Sequence, residues 1–176
     1  MDTGINSQDT KLLRAAFKVA LRAVATGNHP FGAILADTNG GILLEAENTV
    51  VTDSDPTGHA ETNLVRLAAQ RGYGASLGKT TLYASTEPCP MCSGAIYWGN
   101  IGRVVYGLSQ ERLYAIFSNA GSRDAWIVHC RELLSHGERS VDVLGPALED
   151  EAAEVHEGFW RAFLLSDDSP VNRTGT

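Results

Sequence analysis

Apolar side chains recur three and four positions apart in several stretches of the chain, which is the spacing of a helix with one buried face. In the first of these stretches Leu13, Ala16 and Ala20 share a face, and Ser7 or Asp9 is available to cap its start. The stretches that predict helices are residues 11–25, 60–70, 91–98 and 148–165.

Between these stretches lie short apolar runs that predict strands at residues 33–36, 42–46, 81–85, 103–106 and 141–144. The tight turn Asn39-Gly40-Gly41 joins the first two strands as a hairpin. The later strands alternate with helices, and such crossovers favour parallel neighbours. The order predicts an α/β fold, a three-layer α/β/α sandwich around a mixed sheet. We expect residues 1–165 to form one domain and residues 166–176 a polar tail.

Composition and charge narrow the class of protein. The 176 residues are 43% hydrophobic and 20% charged, as in ordinary globular proteins. An apolar run of about 18 residues and a basic, then apolar, N-terminal leader are both missing from the sequence, so we expect a cytoplasmic protein without a membrane span. The net charge of −7 disfavours attraction to phosphate backbones, and it therefore favours a small-molecule substrate over nucleic acid.

The metal-ligating side chains form a pattern. Three cysteines are too few for a disulfide framework, and Cys89 and Cys92 form a Cys-x-x-Cys pair at a predicted helix start. His59 opens another predicted helix. Zinc prefers nitrogen and sulfur ligands, and a catalytic zinc keeps its fourth position for water. These residues predict one catalytic Zn²⁺ per chain. The alternative is a structural zinc that only supports folding, with Cys130 as its fourth ligand.

Glu61 lies two residues after His59 and is predicted to be the catalytic proton carrier. Hydrolysis of an amino-bearing ring requires a proton to leave the water, another to reach the ring nitrogen and another to reach the departing ammonia. One carboxylate beside the metal can serve all three transfers. His-x-Glu followed by Pro-Cys-x-x-Cys is also the known signature of zinc deaminases.

Longer motifs resemble the cytidine-deaminase-like superfamily, in the branch of guanine, cytosine and tRNA adenosine deaminases. The likeness spans residues 30–107 and is carried by Pro30-Phe31-Gly32-Ala33, Asn48, the segment at 55–61 and the segment at 86–98. It implies a five-stranded sheet, zinc held by His59, Cys89 and Cys92, and Glu61 as proton shuttle. It further implies that Phe31 lines the pocket and that the side chain of Asn48 and the backbone N–H of Ala60 bind the ring.

The substrate expected from this resemblance is a free nucleobase or related amino-heterocycle, with a guanine-type purine first. Cytosine or a nucleoside comes next, and tRNA adenosine last. Guanine deaminases carry an acidic residue in a Gly-Phe-Asp-like stretch after the fourth strand, whereas here the nearest acid is Asp124. The C-terminal helix is acidic, and this counts against tRNA.

Two further expectations concern the third and last predicted helices. This branch commonly forms dimers, and Ile96, Tyr97 and Trp98 make an apolar patch, so we expect a homodimer. Related deaminases close their sites with C-terminal aromatic segments. Trp160 lies off the apolar stripe of the last helix, so it is predicted to cover the bound substrate and to contribute little to the core.

Overall fold

The computed structural model of the chain describes residues 4–121 and 125–165. Its helices are α1 (Ser7–Ala25), α2 (Ala60–Gln70), α3 (Pro90–Trp98), α4 (Gln110–Ala120), α5 (Cys130–Ser135), α6 (Glu149–Glu154) and α7 (Phe159–Leu164). Its strands are β1 (Gly32–Ala36), β2 (Ile42–Glu47), β3 (Thr81–Thr86), β4 (Arg103–Leu108) and β5 (Asp142–Leu144). A short 3₁₀ helix, Gly74–Lys79, precedes β3. The predicted tail at 166–176 lies outside the described residues.

The five strands form one mixed sheet in the order β2-β1-β3-β4-β5. Strand β1 pairs antiparallel with β2 and β3, while β3, β4 and β5 run parallel. The register places Ala33 opposite Ala84, so Phe31, just before β1, lies at the edge of the sheet where β3 ends. The predicted mixed five-stranded sheet is confirmed.

Helices cover both faces of this sheet. Alternate residues of β1 enter different cores, because successive side chains on a strand point to opposite faces. Ala33 and Leu35 pack with α2, α3 and α5, whereas Ile34 and Ala36 pack with α1, α4 and α6. A Cβ at Gly32 would lie 2.4 Å from the backbone nitrogen of Ala20, so glycine there lets α1 approach β1 closely. The predicted three-layer sandwich is confirmed. No helix in the described ranges has the length and apolar character needed to span a membrane.

The start of α1 differs from the prediction. The helix begins at Ser7, four residues earlier than the apolar pattern indicates, and Asn6 is its cap. The Asn6 side chain accepts hydrogen bonds from the backbone N–H groups of Gln8 and Asp9, and the Asp9 carboxylate accepts the Asn6 N–H in return. The N-cap is therefore neither Ser7 nor Asp9: it is Asn6, and Asp9 is the N3 member of this reciprocal capping box.

The largest difference between the predicted and the observed elements lies in the C-terminal part of the chain. The single helix predicted over residues 148–165 is two short helices, α6 and α7, and Gly158 between them has a left-handed φ of 78°. Such a conformation interrupts a helix and favours glycine. Helices α4 and α5 were not predicted. The fifth strand is confirmed as a three-residue edge strand.

Candidate active site

Two helix starts bring the three proposed metal ligands together. His59 is the N-cap residue of α2, Cys89 is the N-cap residue of α3, and Cys92 lies in the first turn of α3. His59 Nδ1 is 3.6 Å from the sulfur of Cys89 and 3.6 Å from that of Cys92. Zinc bonds of about 2.3 Å to sulfur and about 2.0–2.1 Å to nitrogen in a tetrahedron separate such ligand atoms by roughly 3.6–3.8 Å. The arrangement therefore fits a zinc ion.

The pKa shifts of the two thiols differ in direction. A hydrogen bond from Cys92, together with His59, lowers the pKa of Cys89 to about 4 against the opposing effect of burial. The hydrogen bond to Cys89 and burial raise the pKa of Cys92. The start of a helix favours a thiolate as well. Since zinc binds thiolates, the lowered pKa of Cys89 suits a metal ligand, and Cys92 would give up its proton on binding the metal.

Cys130 is not part of this cluster. It lies buried at the start of α5, and burial beside Glu87 raises the pKa of its thiol. The ligand atoms of His59, Cys89 and Cys92 lie within 4.8 Å of one another, and the other group of this kind among the described residues consists of Glu87, Glu111 and His129. The structure thus contradicts a closed zinc site with Cys130 as fourth ligand.

Glu61 lies in the first turn of α2, directly beside the metal ligands. Its side chain is buried, with 6% of the residue exposed, and one carboxylate oxygen accepts a hydrogen bond of 3.4 Å from Cys92 Sγ. Burial raises the pKa of this carboxyl above its ordinary value, against the opposing effect of His59. A carboxyl shifted toward neutral pH can both take up and release a proton, as a general acid–base residue must.

A cavity of about 290 Å³ opens above these residues. His59, Glu61 and Cys89 are among the polar residues that line it. Five aromatic side chains also line its wall, namely Phe31, Tyr114, Phe117, Trp160 and Phe163. A small cavity with apolar walls and a few convergent polar groups is typical of a site for a small planar ligand.

Asn48 and Ala60 are placed less directly. Both are buried, and neither is among the residues that line the cavity. The Asn48 side chain accepts a hydrogen bond from the backbone N–H of Val50, which is a turn role. Ala60 is the first residue of α2, between two cavity-lining residues. Their contacts with a substrate stay predictions.

Trp160 lines the cavity as predicted, but it is also a core residue. Only 7% of it is exposed, and its ring lies 4.4 Å from that of Phe117 and 5.0 Å from that of Phe159, measured between centroids. Its indole N–H donates to His156. The expectation that Trp160 stands apart from the core is wrong, because the break at Gly158 rotates α7 relative to the helical stripe read from the sequence.

Sequence reasoning assigned no role to several other cavity-lining residues. These residues include His29, Thr86 and Gln110. Leu113, Tyr114 and Phe117 lie on α4, and their spacing of three or four positions along 110–120 could have indicated that helix. The stretch at Asp124, where an acid that binds guanine was sought, lies outside the described residues.

Comparisons with known proteins agree with this geometry. The chain is 42% identical over 158 residues to a probable cytosine deaminase of Schizosaccharomyces pombe, covering 90% of this chain and 96% of that protein. It is 41% identical over 110 residues to a tRNA-specific adenosine deaminase of Haemophilus influenzae, covering 62% of this chain and 64% of that protein. The solved structure of a guanine deaminase from Nitrosomonas europaea shares the fold, with a TM-score of 0.68 at 22% identity, over 86% of this chain and 83% of that one.

The family model for the cytidine and deoxycytidylate deaminase zinc-binding region matches residues 6–108, which include all three zinc-ligand candidates and Glu61. This match covers more than half of the chain. The protein therefore belongs to the zinc-dependent cytidine and deoxycytidylate deaminase family.

Proposed function

We propose that this protein hydrolytically removes an exocyclic amino group from a free nucleobase or a closely related amino-heterocycle. The observation that carries the proposal is the partly open, aromatic-walled cavity that His59, Cys89 and Glu61 help to line. Phe31 and Trp160, 5.9 Å apart between ring centroids, give the cavity flat apolar walls. A free base offers a flat ring without a bulky sugar or a polyanionic backbone.

In this proposal His59, Cys89 and Cys92 hold one zinc ion. The metal supplies a Lewis acid that lowers the pKa of water toward neutrality. Glu61 takes a proton from the attacking water and delivers it to the ring nitrogen. It then takes the remaining proton from the added oxygen and passes it to the amino group, which leaves as ammonia while the carbonyl forms. The Asn48 side chain and the Ala60 backbone N–H hold the ring edge, and Trp160 excludes bulk water.

We infer the preferred base from the carboxylates that line the cavity and from the similarity to known deaminases. Guanine ranks first on sequence motifs, but recognition of its N1–H edge favours a free carboxylate. The carboxylates that line the described cavity are Glu61 and Glu87. Glu87 already accepts the backbone N–H groups of Gln110 and Cys130. Because both oxygens of Glu87 already accept hydrogen bonds, Glu87 is less suited to bind the N1–H edge of guanine. For this reason, and because the chain is similar over nearly its full length to a probable cytosine deaminase, we propose cytosine ahead of guanine.

The test is ammonia release by the zinc-loaded protein from cytosine, guanine, adenine, cytidine and a tRNA anticodon stem at physiological salt. We expect turnover of a free base, cytosine first. Turnover of guanine alone would reverse the order of bases. Efficient editing of the tRNA stem without turnover of any free base would contradict the proposal, as would a protein that holds zinc yet releases no ammonia.

A nucleic-acid substrate fits the described surface poorly. Acidic side chains of α6 lie next to the start of α4, a helix that lines the cavity. Glu149 accepts a hydrogen bond from the Ser109 hydroxyl, and Asp150 forms an ion pair with Arg112. The chain carries a net charge of −7. Binding a polyanion there would place phosphates beside carboxylates, which is unfavourable.

We also propose a homodimer through the exposed end of α3. Ile96 is fully buried in the core, which corrects its assignment to the surface patch, but Trp98 is 85% exposed and its ring packs edge-on against Tyr97. A tryptophan this exposed favours an interface. Sedimentation at micromolar concentration should show a dimer that Trp98→Ala weakens. A monomeric wild type would remove this proposal.

A further inference from the structure

A chain of hydrogen bonds links the aromatic wall of the cavity to the end of β3. Trp160 Nε1 donates to His156 Nδ1 at 3.1 Å, and His156 Nε2 lies 3.2 Å from Thr86 Oγ1. An indole nitrogen can only donate, so His156 Nδ1 is the acceptor and carries no proton. The direction of the first bond is therefore fixed by chemistry.

The second bond follows from the first. Burial lowers the pKa of His156 to about 4, so its imidazole is neutral at pH 7 and carries one N–H. Because Nδ1 is the acceptor, this hydrogen is on Nε2, which donates to Thr86 Oγ1. Thr86 is thereby held as an acceptor from His156, and its own hydroxyl hydrogen is left to donate elsewhere.

The hydroxyl hydrogen of Thr86 is thus available at the wall of the cavity. Thr86 lines the cavity and is 3% exposed, and within the described ranges its hydroxyl has His156 as its hydrogen-bond partner. Two other donors in the wall are already engaged, whereas the buried Nε2 of His29, which also lines the cavity, has no hydrogen-bond partner among the described residues. The Gln110 side chain donates to the backbone carbonyls of Pro88 and Val128, and the Tyr114 hydroxyl lies 3.4 Å from the Trp126 carbonyl. A buried donor without an acceptor is costly, so a bound acceptor is expected there.

Cytosine and guanine share one acceptor in the same relation to the reacting carbon. In both bases a ring carbonyl lies one ring nitrogen away from the carbon that bears the amino group. Resting on the proposed function, we propose that the Thr86 hydroxyl donates a hydrogen bond to this carbonyl oxygen, and that His156 and Trp160 are positioning residues that fix its direction. Since Trp160 lies on α7, carbonyl recognition in this proposal is complete only when α7 is docked.

The experiment compares two ring ligands that differ by the carbonyl and its adjacent ring N–H and need no deamination to bind. Pyrimidin-2-one carries the carbonyl and pyrimidine lacks it. Their dissociation constants are measured by calorimetry or competition on the zinc-loaded full-length protein. The variants are Thr86→Val, Thr86→Ser, Trp160→Phe and the Thr86→Val/Trp160→Phe double variant. Thr80→Val is the matched control, since Thr80 is a buried threonine outside the cavity whose hydroxyl donates to Leu77 O.

We expect Thr86→Val to weaken binding of pyrimidin-2-one roughly three- to tenfold relative to pyrimidine. Thr86→Ser keeps the hydroxyl and should restore the preference, and Thr80→Val should leave it unchanged. Trp160→Phe frees His156 Nδ1 to carry the proton, so that Thr86 can donate to Nε2. Trp160→Phe alone should therefore reduce the preference for pyrimidin-2-one over pyrimidine. Added to Thr86→Val, it should reduce that preference no further.

Several results would overturn the proposal. One is an unchanged ratio of the two affinities in Thr86→Val, and another is an equal loss for both ligands, which would show a structural role only. Additive effects in the double variant would remove the positioning role of Trp160. Failure of the wild type to bind either ring would also overturn the proposal. Ring binding with the expected carbonyl preference but without ammonia release from any base would overturn the proposed function alone.

Discussion

Removing the Trp160 side chain should damage both stability and activity. Trp160 is 7% exposed, contacts several aromatic rings and donates a hydrogen bond to His156. Truncating a buried tryptophan to alanine costs about 3–5 kcal/mol where the surroundings cannot collapse. Because α7 is the last described helix, part of this loss should appear as undocking of α7. We therefore expect Trp160→Ala to lower the free energy of unfolding by about 2–4 kcal/mol.

The same variant should lower kcat/KM for the accepted base by roughly tenfold or more, because the cavity opens to bulk water. Urea unfolding and steady-state ammonia release measure the two effects, with Trp126→Ala as control, since Trp126 is 67% exposed. A surface substitution of this kind usually changes stability by less than about 0.5 kcal/mol. An unchanged unfolding midpoint in Trp160→Ala would refute its packing role, and unchanged kcat/KM would refute its covering role.

Three further variants test other parts of the structure. Burial raises the pKa of Asp9, but hydrogen bonds, chiefly from Arg103, outweigh burial and hold it below its ordinary value of 3.8. Asp9→Asn should therefore cost about 2–3 kcal/mol at pH 7, and its difference from wild type should shrink as pH falls through the lowered pKa in acid unfolding. His29→Leu should leave the unfolding midpoint equal or higher, since His29 Nε2 is buried without a hydrogen-bond partner among the described residues. A loss above about 1 kcal/mol would show instead that the imidazole stabilises the fold through its ring contacts with Phe159, Trp160 and Phe163. Metal analysis should find zinc retained in Cys130→Ser but lost or greatly weakened in Cys89→Ala, and loss in Cys130→Ser would favour a structural site.

Short, regular patterns were sufficient to predict most of the sheet and its covering helices. The strand and helix periods at 33–36, 60–70, 81–85 and 91–98 agree with the structure to within one or two residues. The ligand cluster follows from local motifs at two helix starts, because a parallel pair of strand–helix units brings both starts to one edge of the sheet. His59, Glu61, Cys89 and Cys92 meet there as expected.

The wall of the cavity could not be predicted in the same way. It depends on how α4 and α7 pack, and that arrangement is set by tertiary contacts and by the left-handed Gly158. If residues 148–165 formed one continuous helix, Trp160 would lie off its apolar face. The helix is broken at Gly158, so this face does not continue into α7 and Trp160 is buried. The direction of the hydrogen bonds along Trp160, His156 and Thr86 depends on Thr86, which lies 70 residues from His156 in the sequence, so no local pattern indicates it.

The most direct test of the central claim is turnover by Glu61→Gln. This variant keeps the size and hydrogen bonding of the side chain but cannot cycle a proton. Metal content, unfolding midpoint and ammonia release from the accepted base are measured on the same preparation. We predict that zinc and fold are retained while turnover falls at least about 100-fold. Turnover near that of the wild type, with zinc still bound, would contradict proton transfer by Glu61 and with it the proposed deaminase mechanism.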